Sequence, residues 1–131
     1  MRRSWHTLAL IAALITVALP TDAWASWIRY AVVAGNNRGV AREEALRFAE
    51  EDARRVGAVL LGPGGVSPER IAVQTGGSRQ SFADAIRGFD RDLLARAEAG
   101  ERSLLLVYFS GHSDGRHLQF GDELLPFSEV R

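Results

Sequence analysis

The chain has 131 residues, 16 cationic and 16 acidic side chains, and no cysteine. That length holds one domain, and the balanced charge gives no electrostatic case for nucleic acid or an anionic membrane. The absent thiol excludes disulfides, and it excludes a cysteine nucleophile within these residues.

Met1 to Ala25 has the parts of a secretory signal peptide. Arg2 and Arg3 form its positive start, Leu8 to Leu19 is apolar, and Ala23-Trp24-Ala25 supplies a small-x-small cleavage pattern. The apolar stretch is too short to cross a bilayer core of roughly 30 Å as a helix. Export to the periplasm or beyond is therefore expected, with no stable membrane span after cleavage. The leader carries Arg2, Arg3 and Asp22, so its removal takes the net charge from zero to −1.

Trp27 to Ala34 is a β-rich apolar run, and Gly35-Asn36-Asn37-Arg38-Gly39 breaks it with turn formers. Ala45, Ala49, Ala53 and Val56 recur at helical spacing and predict a helix from Arg42 to Val56. Gly62-Pro63-Gly64-Gly65 reads as a loop, and Ile71-Ala72-Val73 as a short strand within 68–75. After the turn Gly76-Gly77-Ser78, Ser81 is the expected N-cap, with Asp84 completing a variant capping box. Phe82, Ile86, Phe89, Leu93 and Ala97 mark one buried helix face, which Gly100 closes.

Leu104 to Phe109 is an uninterrupted apolar run, as a strand covered on both faces of a parallel sheet requires. His117–Phe120 and Glu123–Phe127 read as a hairpin around Gly121-Asp122. The order β-α-β-α-β-hairpin argues for an α/β fold, a largely parallel sheet with helices on both faces. One domain is expected over residues 26–131. The Leu104–Phe109 strand lacks a following neighbour, and Phe127–Arg131 reads as the start of a further helix. The sequence thus reads as the N-terminal part of a longer domain, from an incomplete or interrupted reading frame. A genuine short binding or regulatory protein is the competing explanation.

In such sheets chemistry gathers beyond the carboxyl ends of the strands. Ser110-Gly111-His112 follows the Leu104–Phe109 run, so His112 stands where a general base belongs. RYAVVAGNN (Arg29–Asn37), EEDA (Glu50–Ala53) and YFSGH (Tyr108–His112) follow one another along the chain. In that order these three landmarks resemble the caspase-like cysteine peptidases, specifically the large-subunit half of bacterial caspase homologues and metacaspases. The resemblance implies peptide-bond hydrolysis through a Cys–His dyad, with His112 as the catalytic histidine and the Ser113 backbone N–H in the oxyanion hole. Many members have glycine at that second position, so Ser113 is a departure. The family's cysteine lies some tens of residues further on, so no nucleophile is present and the chain by itself should be inert. The implied partner is a polypeptide substrate. No cofactor is expected; calcium-dependent members exist, but no residue here supports a calcium site.

Other readings of the same residues remain. Gly111-His112-Ser113-Asp114-Gly115 fits G-x-S-x-G, the serine-hydrolase elbow with Ser113 as nucleophile. The segment after it, however, alternates and turns rather than entering a helix. His112, Asp114 and His117 match no closed zinc spacing, so no metal site is expected. Asn36, Arg38, Arg47 and Asp52 are all conceivable substrate-pocket residues, with Asp52 more simply a structural helix residue. A non-catalytic module offering a sheet edge to another chain is the last alternative.

Overall fold

A computed structural model describes residues 27–130. The leader expected over residues 1–25 lies outside them. Three parallel strands form the sheet: β1 (Ile28–Gly35), β2 (Ile71–Thr75) and β3 (Ser103–Ser110), in the order β2-β1-β3. Helix α1 (Ala49–Leu61) connects β1 to β2, and α2 (Arg79–Glu98) connects β2 to β3. An antiparallel hairpin, β4 (His117–Phe120) and β5 (Glu123–Pro126), follows.

β1 is the middle strand and is buried from Tyr30 through Ala34. Its alternate residues serve two separate cores. Ala31 and Val33 meet Ala53, Val56 and Leu60 of α1, whereas Val32 and Ala34 meet Phe82, Ala83 and Ile86 of α2. The two helices therefore cover opposite faces. The strand order explains this: the chain steps to one side of β1 and then across it to the other, and right-handed crossovers put those two connections on opposite faces.

The α2 core is aromatic. Phe82 lies 5.3 Å from Phe120 of the hairpin, Phe109 lies 5.1 Å from Phe120, and Tyr30 lies 5.2 Å from Phe89. These separations suit tilted ring pairs. Of the five residues expected on this helix face, Phe82 and Ile86 are buried, Phe89 and Leu93 are partly so, and Ala97 is exposed.

Both helices start away from the expected residues. Helix α1 covers 49–61 rather than 42–56, because the backbone of residues 40–48 bonds elsewhere. Glu43 N–H donates to Val40 O in a turn, and Leu46 N–H donates to Asn37 O at 2.7 Å. The helix then opens with Glu50 N–H donating to the Asn37 side chain at 3.3 Å. It runs past Gly57 because that residue permits close approach to β2: a Cβ there would stand 2.8 Å from Val73 Cγ2. In α2 the N-cap is Ser78 and not Ser81, since Ser78 Oγ accepts from Ser81 N–H at 3.1 Å. Asp84 instead accepts from Gln80 and Arg87. Phe127–Glu129 forms a single 3-10 turn.

β3 pairs with β1 along its whole length, and no strand among the described residues pairs with its other side. Leu104 and Leu106 are 48% and 38% exposed. No helix among the described residues is long and apolar enough to cross a membrane.

Candidate functional site

β1 and β3 are the adjacent strands whose outgoing connections diverge, toward α1 in one case and the hairpin in the other. That is the topological switch of an open parallel sheet, where a crevice forms at the carboxyl ends. Asn36 N–H donates to Ser110 O at 2.9 Å and joins the two exits. The Asn36 side chain is buried; it donates to Gly77 O and accepts from Arg38 N–H at 2.9 Å. The loop leaving β1, residues 36–48, thus starts from a fixed point.

That loop folds back over β3. His112 Nε2 donates to Glu44 O at 3.0 Å, and Nδ1 meets the Glu43 carboxylate. Both ring nitrogens therefore face oxygen acceptors. The ring is 17% exposed and the Glu43 side chain 35% exposed, so the pair sits at a rim with partial access to water.

Gln119 completes the cluster. It is buried on β4, its Nε2 donates to Glu43 Oε1 at 3.2 Å, and its Oε1 accepts from Val40 N–H at 3.0 Å. Its own N–H donates to His112 O, which fixes the histidine main chain to the hairpin. Gly39 lies against all three side chains: a Cβ there would stand 2.7 Å from both Glu43 Oε2 and His112 Cδ2, and 2.8 Å from Gln119 Oε1.

Ser113 follows the ring into an exposed isolated bridge with Leu118. No non-glycine residue among those described has a positive φ, so Ser113 holds ordinary backbone. Its Oγ accepts from Gly115 N–H at 3.1 Å, and β3 leads through it into the hairpin, not into a helix. Asp114 and His117 pair with each other rather than with His112, at 2.9 Å. Asp114 also accepts from the Arg116 and His117 N–H groups at 2.8 and 2.7 Å. The His117 side chain first, then those two backbone donors, hold the Asp114 carboxyl down at about 2. Among the described residues no group of acidic and histidine side chains is arranged to hold a metal ion.

A cavity of about 220 Å³ opens at the same end of the sheet, between β1, the start of α2 and the hairpin turn. Asn36, Arg38, Ser78, Phe120 and Glu123 line it. Of the residues considered from sequence as pocket-forming, Asn36 and Arg38 thus meet at one concavity. Arg47 lies exposed in the loop, and Asp52 belongs to the first turn of α1. His112 does not line the cavity.

Glu43 and Gln119 have no signal in the sequence. Glu43 falls inside the predicted helix among other acidic residues, and Gln119 reads as an ordinary hairpin position. The chain matches no family model, no curated protein and no solved structure.

Proposed function

We propose that this chain carries the histidine half of a caspase-like cysteine endopeptidase site, the sulfur being supplied by polypeptide outside these residues. The observation that carries the reading is the position of His112 at the exit of β3, on the switch side of the sheet and beside a strand edge unpaired among the described residues. A further parallel strand on that edge would end next to the imidazole. A free thiol has a pKa of about 8.5 and is mostly protonated at neutral pH. An adjacent imidazole activates it and then protonates the amine that leaves as the acyl-thioester forms. The Ser113 N–H, on unstrained backbone, is the proposed donor to the carbonyl oxygen that becomes anionic. One such donor is typically worth about 2.7–4 kcal/mol of transition-state stabilisation.

The test starts from the genomic DNA beyond codon 131, translated in all frames. An Asp-x-Cys segment within some tens of residues is expected. The longer polypeptide should cleave a peptide library and lose that activity on His112→Ala. Absence of any such codon, or cleavage indifferent to His112→Ala, overturns the proposal. The 131-residue chain alone should cleave nothing.

A second reading draws on the two engaged ring nitrogens. His112 then serves as a clasp in a non-catalytic module whose β3 edge receives a partner strand. Intergenic sequence without the cysteine, together with stable capture of a β-strand peptide by β3, is the outcome expected of it.

A further inference from the structure

A dyad histidine needs one ring nitrogen turned toward its nucleophile. In His112 neither is free. Nε2 is held by a main-chain carbonyl, Glu44 O, and Nδ1 by a carboxylate on a rotatable side chain, Glu43. A side chain can swing away without unfolding backbone; a carbonyl moves only with its loop. Nδ1 is therefore the nitrogen that can be released.

From this we infer that Glu43 is a latch: its carboxylate occupies the Nδ1 position that a nucleophile requires, and Gln119 holds the latch shut. The inference rests on the proposed role of His112 and adds a closed state to it. Three features fit. Glu43 sits in a loop whose residues 41–48 are all exposed, so its motion disturbs no core. Gln119, by contrast, is buried on β4 and donates to Glu43 from a fixed position. The loop carries its own closure, Leu46 N–H to Asn37 O, and a tie from Ala41 N–H to Asp122 Oδ1 at 3.1 Å. These are separate bonds that can break while the sheet remains intact. Chain laid across the carboxyl ends of β1 and β3 would draw the Glu43 side chain aside and free Nδ1, while Glu44 O keeps Nε2.

The experiment reads the latch on the 131-residue chain, with no nucleophile needed, so its failure is distinct from failure of the peptidase reading. Diethyl pyrocarbonate modifies unprotected imidazole, and peptide mass spectrometry resolves His112 from His117. At pH 7, Glu43→Ala is expected to speed modification of His112 about tenfold, with His117 changed less than twofold. Gln119→Met should give a smaller rise in the same direction. An unchanged His112 rate, or equal rises at both histidines, overturns the latch. Should Glu43→Ala fail to fold, Glu43→Gln, which keeps the side chain's size but not its charge, is read in the same way. A His112 rate unchanged from the parent overturns the proposal.

Discussion

Gln119 bridges two points of the loop above it, donating to Glu43 at 3.2 Å while accepting from Val40 N–H at 3.0 Å. One buried amide thereby fixes both the acid beside His112 and the backbone that carries it.

Replacing that amide with a similarly sized apolar group leaves the Val40 N–H without its acceptor. A fully buried unsatisfied donor costs about 1–3 kcal/mol, and the partly buried Val40 N–H belongs at the lower end. Gln119→Leu is expected to destabilise the fold within that range, measured by urea denaturation at neutral pH. A midpoint indistinguishable from the parent would show that solvent satisfies Val40 equally well.

Phe82 is fully buried where α2, β3 and the hairpin meet. Truncating such a residue removes both its transfer free energy and its packing, typically about 3–5 kcal/mol. Phe82→Ala should therefore unfold much of the population, whereas Leu94→Ala, on an exposed part of the same helix, should stay within about 0.5 kcal/mol. Comparable losses in both variants would contradict the assigned helix face.

Asp114 provides the acid limb of the pH dependence. Its carboxyl is held at about 2 by His117 and two backbone donors, below an unfolded value near 3.9. A group depressed in the folded state contributes stability above its unfolded value, and that contribution fades as pH falls from about 4 toward 2. Nuclear magnetic resonance titration of the Asp114 side chain should give a midpoint near 2. Asp114→Asn should flatten the melting temperature over this range.

The bare edge of β3 predicts self-association. It has no proline along its length, and Leu104 and Leu106 are exposed on the sheet face that α1 covers only in part; such edges template pairing with other chains. Leu106→Lys should suppress concentration-dependent light scattering while shifting the melting temperature little. Scattering that persists unchanged would place the sticky surface elsewhere.

The three strands and the hairpin were legible because each announces itself locally. β1 and β3 are continuous apolar runs ended by turn formers, and the Gly121-Asp122 pair marks the hairpin turn. Helix α1 was misplaced because Ala45 continues the alanine spacing of Ala49 and Ala53, although it lies exposed in the loop. What delays the helix start is Asn37, whose side chain accepts from Glu50 N–H thirteen residues further on. The candidate site divided the same way. His112 was visible from its place after a strand, but its partners come from the loop after β1 and from β4, and only the folded chain brings them together.

The middle strand of the sheet is the first to be synthesised, and each of its pairings with β3, from Ile28 with Ser103 to Gly35 with Ser110, joins residues 75 apart in sequence. Contacts so remote in sequence slow folding, because the intervening chain has to be ordered before they form. During translation β1 emerges with both flanks bare and stays incomplete until Ser110 has left the ribosome. The sheet is therefore complete only once β3 is made, and until then the β3-facing flank of β1 stands open.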